Sequence, residues 1–382
     1  MEAERTRTAA CYGNAGHIAI EQVEPLASMA MIKSAPGRLY SAGGALALPP
    51  SAISTWLPFS LRLVKAARPA QFAHGKAALS HLMRGAMPAW QRRVADLGRP
   101  DLLRQDGHFV VWESPESARS KLAGWQATDT GTATFRVASD EELAALQRLS
   151  KRPVAGAIRF ENTGQIADNA ELLKCMEDAF LARGGAIVFD RAERLAVQGN
   201  VASAVLVSGR ALSAERIVVS AGFWSGGLLR PLGLKVPIAA ERGYHIQDAQ
   251  AAWPEGMPPV VFEDRSMIVT GFRSGVRAAS FVEIARPDTP PDAGKWRRLK
   301  KHVTELGLSS NTGTAAEWMG IRPTLPDYLP AIGKVRNLAN LYYAFGHQHL
   351  GLTLGPVTGE MVADMLVDGD EPQAFSLERF QE

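Results

Sequence analysis

The segment from Asn340 to Leu366 constrains the fold more than any other stretch. An apolar run, Leu341-Tyr342-Tyr343-Ala344-Phe345, meets a turn bounded by Gly346 and Gly351, and apolar residues then recur at helical spacing through Val357, Met361 and Met365. A strand that enters a glycine turn and then a helix presents backbone N–H groups at the helix start, where the dipole favours an anion or an electron-rich ring. Gly346, Gly351 and Gly355 let a flat ligand approach the main chain closely. The same pattern also serves as an ordinary strand-to-helix turn in an α/β core, so its meaning depends on the rest of the chain.

At 382 residues the chain has room for two or three domains of roughly 150 residues each. Hydrophobic residues make up 46% and charged residues 21%, which excludes a disordered chain. No apolar run reaches the ~18 to 20 residues of a membrane span, so no integral membrane segment is expected. A formal charge of +3 is too small to argue for a nucleic-acid partner. Cys11 and Cys175 cannot build a disulfide framework, and the charged start Met1-Glu2-Ala3-Glu4-Arg5 carries no apolar leader core. The expectation is a cytoplasmic protein.

Residues 41–94 read as helix-rich, and within them Trp56 to Lys65 separates apolar and basic residues onto faces. Ser139 or Asp140 caps a helix reaching residue 149, with acids in its first turn. Gly164 to Asp168 leads into a helix over 169–182 closed by Gly184-Gly185, then a buried strand over 186–189 and a hairpin (192–197, 202–207) turning at Gly199-Asn200. Arg216 to Gly222 reads as a central strand ending at glycine. From Val236 to Pro323 the chain is β-rich, with strands at 260–262, 266–270 and 278–283 and a basic-faced helix over 296–306. The return to α/β pattern at Leu338 predicts a mixed α/β fold. Its discontinuous nucleotide-binding domain covers 1–40, 151–235 and 324–382, and the second domain, 41–150 and 236–323, is inserted into it.

Five clusters together resemble a known family. They are Gly13-Asn14-Ala15-Gly16-His17, Gly222-Phe223-Trp224-Ser225, Arg242-Gly243-Tyr244-His245, Gly320-Ile321-Arg322-Pro323-Thr324-Leu325-Pro326-Asp327 followed by Pro330 to Gly333, and Gly346-His347-Gln348-His349-Leu350-Gly351. In this order, across essentially the whole chain, they look like the FAD-dependent D-amino-acid oxidases and dehydrogenases, nearest to the bacterial D-amino-acid dehydrogenase branch. The resemblance implies an FAD-binding dinucleotide fold of the glutathione-reductase/D-amino-acid oxidase type with an inserted antiparallel-sheet substrate domain. It also implies a departure. A dinucleotide fold opens with strand, G-x-G-x-x-G, helix and an acidic strand end, yet no G-x-G-x-x-G occurs here and Glu2 falls where that acid would stand. The fold is therefore expected to be N-terminally truncated, without its first strand and helix.

By that resemblance the cofactor is FAD. Glu2 and Arg5 would meet its adenosine half, Asn14 and Gly16 its middle, and Ala192, Ala221 and Gly222 the adenine. Gly346, Leu350, Gly351, Leu352 and Thr353 would pass the isoalloxazine, with helix N–H groups facing its electron-rich edge. Arg322, extended by the following Pro323, would bind the substrate carboxylate with its planar fork; a surface ion pair with Asp327 or Glu317 is the structural alternative. Tyr244 is the second catalytic candidate and a carboxylate or amine contact, with a strand tyrosine as its alternative. His347 is a substrate-binding candidate and His245 another pocket residue. No metal is expected at His347-Gln348-His349, because zinc would need further His, Cys or carboxylate partners.

The implied reaction is hydride transfer from the α-carbon of a D-amino acid to the flavin, with the amine lone pair assisting and no side-chain base. The imino acid then hydrolyses to a 2-oxo acid and ammonia, and the electrons pass to a quinone or another acceptor. The Trp56 to Lys65 stretch is a candidate for peripheral membrane contact or a core helix with snorkelling cations. Two other readings stand beside this one: an enzyme for cyclic imino acids such as D-proline or D-hydroxyproline, and an inactive remnant that does not bind FAD.

Overall fold

The computed structural model describes residues 9–309 and 311–381. Its largest element is a nine-stranded sheet. Eight strands run in the order Ala316–Thr324, Ala239–Asp248, Gly275–Ile284, Met267–Phe272, Val260–Phe262, His108–Trp112, Gly156–Phe160 and Phe135–Val137, while Leu46–Ala47 pairs off the path with Gly275–Ile284. Pairing is antiparallel except at Val260–Phe262 beside His108–Trp112 and at Leu46–Ala47. Pro323 is tolerated because its strand stands at the edge of this sheet, where a missing N–H breaks no ladder.

Three smaller sheets surround it. Ile217–Val219 runs parallel to Leu341–Phe345, which pairs antiparallel with Ala331–Lys334. Ala192–Gln198, Val201–Leu206 and Ala211–Ser213 form a meander. His17–Ile18 and Leu103–Arg104 flank Gly164–Ile166.

The helices form where capping and periodicity place them. Ser139 and Glu142 close a reciprocal capping box on Asp140–Leu149, and Asp168 accepts from the Ala170 and Glu171 N–H groups to start Asn169–Ala182. Asp292 opens Ala293–Leu306, and left-handed Gly307 ends it. Ile53–Ala66 and the long Pro69–Asp96 occupy the helix-rich stretch. The closing helix Gly351–Val367 lies along Pro69–Asp96, where the Trp90 indole donates to the Leu352 carbonyl and Arg92 pairs with Glu360. By length and composition, Gln348–Val367 would suffice to cross a bilayer, against the expectation that no segment would. Leu352, Thr353, Leu354, Pro356, Thr358 and Met365 are nevertheless buried against the protein.

Ile217–Val219, read as a central strand, pairs among the described residues with Leu341–Phe345. Two expectations change. Residues 186–189 are irregular apart from one bridge position at Phe189, and that phenylalanine is half exposed. Gly156–Phe160, assigned by sequence to the nucleotide-binding part, belongs to the large sheet between His108–Trp112 and Phe135–Val137. Its Ala157, Ile158 and Phe160 are buried on both faces, a burial that only an interior strand provides.

Candidate active site

Strand parity sorts the candidate residues. Ala239–Asp248 pairs with Ala316–Thr324 so that Glu241 faces Arg322, Gly243 faces Gly320 and His245 faces Trp318. Side chains alternate between sheet faces, so these six share one face, while Arg242 and Tyr244 point to the other. Arg322 lies flat over Gly243: a Cβ on that glycine would come within 2.3 Å of Nη2. The Trp318 indole likewise folds over Gly320 and Gly13, where a Cβ would meet the ring at 1.8 and 2.2 Å. His245 stacks on the same indole with ring centroids 4.9 Å apart, and its Nδ1 meets the Gly13 carbonyl at 3.0 Å. Burial, reinforced by Arg277, pushes His245 down to about 3.

Arg322 is anchored by one nitrogen. Nη1 donates to Glu241 Oε1 at 3.1 Å and to the Phe281 carbonyl at 3.0 Å. Among the described residues, Nε and Nη2 donate to no protein acceptor, which leaves one edge of the fork for a planar anion. Glu241 is 1% exposed, and its second oxygen accepts from Thr324 Oγ1 at 3.1 Å and from the Tyr328 hydroxyl at 3.2 Å. Burial and this carboxylate drive the Tyr328 phenol well above its usual range. Neither expected surface partner is used, since Asp327 pairs with Arg379 and Glu317 with Lys300.

The glycine turn adjoins this arginine. Thr324, two residues beyond Arg322, forms an isolated antiparallel bridge with His347. Gly346 has φ +85°, and a Cβ there would stand 2.8 Å from Leu325 Cδ1, so both backbone and space demand glycine. Gln348 is left-handed at φ +49° and Tyr328 at φ +57°, and the two are tied by a 2.6 Å hydrogen bond from Gln348 Nε2 to the Tyr328 carbonyl. Gln348 Oε1 is buried with no hydrogen-bond partner, an acceptor left for a ligand donor. No side chain caps Gly351–Val367, so its first-turn N–H groups are available as donors. These features fit the ring end of a flavin.

The other expected residues fall in several settings. Leu350 and Leu352 turn their side chains into the core, and the Thr353 hydroxyl accepts from the Ala19 N–H at 3.0 Å, leaving the backbone as what this turn presents. Asn14 Oδ1 caps the Gly16 N–H at 2.8 Å, and the Asn14 carbonyl accepts from Asn169 and Arg277, so Asn14 shapes its loop. Gly16, at φ +77°, packs against the Phe272 ring. Ala192 opens the meander; Ala221 is exposed, and Gly222, at φ +55°, has open space around it. Glu2 and Arg5 lie outside the described residues.

Two readings need correction. Tyr244 is buried on the opposite face from Arg322, where its hydroxyl donates to Glu283 Oε2 at 2.6 Å and accepts from the Asp292 N–H at 3.2 Å. It belongs to a buried cluster with Arg242, Glu283 and Lys295. His347 turns to its own helix, with Nε2 2.9 Å from Thr358 Oγ1, and burial lowers it to about 4. His349 is the imidazole on which Glu241 and Arg322 act; burial first, and Arg322 with it, hold it down at about 4 against Glu241. Its Nε2 is bonded to Gln22 Oε1. Glu241 and Trp318 were legible only through their pairing with Arg322 and Gly320, a register that periodicity does not reveal.

Fold and site together define a flavin-type amino-acid oxidoreductase scaffold. The chain belongs to the FAD dependent oxidoreductase family, whose pattern it matches over residues 13–365, and the cofactor of that family is FAD. It is 31% identical to a D-amino-acid oxidase of Bradyrhizobium diazoefficiens over 97% of this chain and 90% of that one. A D-amino acid dehydrogenase of Cereibacter sphaeroides shares 24% identity over 96% of this chain and 84% of that protein. The iminodiacetate oxidase of a Chelativorans species superimposes with a TM-score of 0.66 at 18% identity, covering 98% of this chain and 90% of that one. The L-proline dehydrogenase of P. horikoshii gives 0.65 at 16% identity, covering 80% and 83%.

Proposed function

We propose that this chain oxidises D-amino acids at the α-carbon, giving a 2-oxo acid and ammonia after the imino acid takes up water. The observation that carries this reading is the Nε/Nη2 edge of Arg322, without a protein acceptor, beside the Gly346–Gly351 turn. The D-amino-acid names of the relatives that match over most of the chain support it. Bound FAD supplies the two-electron acceptor.

The chain's own residues act by positioning and electrostatics. Arg322 takes the substrate carboxylate bidentately, with Glu241, Thr324 and Tyr328 fixing the guanidinium plane from behind. His349 and His347, kept neutral by burial, add no charge that would compete with the amine. The amine loses its proton to water before the α-hydrogen departs with its electron pair, and the nitrogen lone pair becomes the C=N bond. A quinone or another small carrier then removes the electrons.

The test uses 2-aminoisobutyrate, which has the carboxylate and amine but no α-hydrogen, with its amide as the uncharged control. Calorimetry should show binding of the acid by the FAD-loaded chain, no binding of the amide, and loss of acid binding in Arg322→Ala. Equal binding of acid and amide would overturn the assignment.

The same reading puts the enzyme in the cytoplasm with peripheral membrane contact. Ile53, Leu57, Leu61 and Val64 make an exposed apolar stripe along Ile53–Ala66. No Asp or Glu occurs between Pro25 and Ala95, a stretch that holds nine lysines and arginines. Leu61→Glu should weaken sedimentation with anionic vesicles; sedimentation equal to that of the unsubstituted chain would rule the contact out.

A further inference from the structure

A second polar cluster lies in the core. His17 opens the short strand His17–Ile18, Glu21 follows four residues later, and His108 begins the strand His108–Trp112. One ligand atom from each lies within 4.8 Å of the other two. His17 Nε2 is 3.1 Å from Glu21 Oε1, and the two imidazoles meet edge to face with centroids 4.3 Å apart. The side chains of His17 and Glu21 are 8% and 3% exposed, and His108 is 2% exposed. Ile18, Leu103, Phe160 and Ile166 belong to the same apolar core.

The cluster is incompletely satisfied. His17 Nδ1 and Glu21 Oε2 are both buried, and neither has a hydrogen-bond partner. A buried carboxylate oxygen without a partner is costly, so a native core keeps one only where something else completes it. We propose that His17, Glu21 and His108 bind one divalent transition-metal ion of the zinc class, with a fourth coordination position left for water.

Several features favour such an ion. Two imidazoles and one carboxylate suit zinc and its neighbours, whereas magnesium and calcium require oxygen cages. Three protein ligands and one open position is a coordination count that zinc accepts. His108 Nδ1 is 2.8 Å from Thr163 Oγ1, and donation to that hydroxyl leaves the Nε2 lone pair as the ligand, the outer contact that ligating histidines commonly make. Stacking on Phe160, with centroids 4.5 Å apart, fixes the ring plane.

An ion here would pin the 17–21 segment to the large sheet. That segment also reaches the candidate active site, through the Ala19 N–H bonded to Thr353 and the neighbouring Gln22 bonded to His349. Such an ion would brace the segment that packs against the glycine turn.

The experiment strips the full chain with a chelator and titrates it with Co²⁺, followed by Zn²⁺ competition. One equivalent of Co²⁺ should bind with visible ligand-field absorption, Zn²⁺ should displace it, and His108→Gln and Glu21→Gln should abolish uptake. Thr163→Val keeps all three ligands and nearly the same volume, and should weaken Co²⁺ affinity about 10- to 100-fold. Wild-type uptake well below one equivalent would overturn the proposal, as would His108→Gln binding as much as wild type; the 3.1 Å contact between His17 and Glu21 would then account for the cluster. Where the two ligand variants fail to fold, the comparison of wild type with Thr163→Val decides, and equal affinity overturns it.

Discussion

Glu241→Gln separates the two jobs that the buried carboxylate performs. In the native protein it accepts three hydrogen bonds, from Arg322 Nη1 at 3.1 Å, Thr324 Oγ1 at 3.1 Å and the Tyr328 hydroxyl at 3.2 Å. The amide can keep its oxygen on Arg322, and its NH₂ then meets two hydroxyls that can rotate to accept. What is lost is the charge assistance, and a hydrogen bond to a charged group contributes about 1.5–3 kcal/mol. Arg322 is 24% exposed, so solvent moderates its share, and the expected destabilisation is about 2 kcal/mol. Binding should move the other way. A carboxylate on the Nε/Nη2 edge would sit on the order of 7 Å from Glu241 across the guanidinium, where two like charges repel by about 2 kcal/mol at an effective dielectric of about 20. Removing that repulsion should tighten 2-aminoisobutyrate up to about thirtyfold. Urea unfolding and calorimetry on the same preparation read both effects. Binding weakened tenfold with stability unchanged would refute the reasoning, because Glu241 would then be touching the ligand and not tethering its arginine.

Acid should unfold this protein well before its carboxylates protonate. Burial lowers His108 and His245 to about 3, and His302, His347 and His349 to about 4, from an ordinary value of 6.5. The unfolded chain binds those protons first, so stability is full above about pH 6.5 and falls as the pH drops towards 4, by up to about 2 kcal/mol at pH 5 for each of the four more buried histidines and by less for the partly exposed His302. Near-ultraviolet circular dichroism against pH should show the loss in that window, and a signal unchanged down to pH 4 would contradict it. Tyr244→Phe should cost about 1–3 kcal/mol in urea unfolding by stranding Glu283 and the Asp292 N–H, and leave 2-aminoisobutyrate affinity unchanged; a binding defect would return Tyr244 to the site. Gly346→Ala should destabilise by at least about 1 kcal/mol through its left-handed backbone alone and weaken FAD retention in equilibrium dialysis, whereas normal retention would place the flavin elsewhere.

Much of the architecture was readable from the sequence because local rules govern it. The capping box at Ser139, the helix opened by Asp168, the hairpin at Gly199-Asn200 and the closing strand, turn and helix all follow from patterns within a few residues. What failed depends on distant neighbours. The apolar run 186–189 looks like a strand, but only Phe189 forms a bridge and the rest of the run is irregular. The run 156–160 has the same pattern and joins the large sheet because His108–Trp112 and Phe135–Val137 lie on either side. Arg322 could be singled out by its motif, yet its anchor Glu241 stands 81 residues away and is defined by cross-strand register. Register also removed Tyr244, since one step along a strand turns a side chain to the other face.

The most direct measurement is anaerobic flavin reduction followed by stopped flow. The FAD-loaded chain mixed with D-alanine should lose its flavin absorbance, L-alanine should leave it intact, and D-proline in parallel measures how far cyclic substrates are accepted. Arg322→Lys keeps the charge but loses the fork, and should raise the half-saturating D-alanine concentration about 10- to 100-fold, the equivalent of one charge-assisted hydrogen bond, with a smaller change in the limiting rate. A chain that holds FAD yet is bleached by no D-amino or D-imino acid, or an Arg322→Lys variant indistinguishable from wild type, would contradict the account.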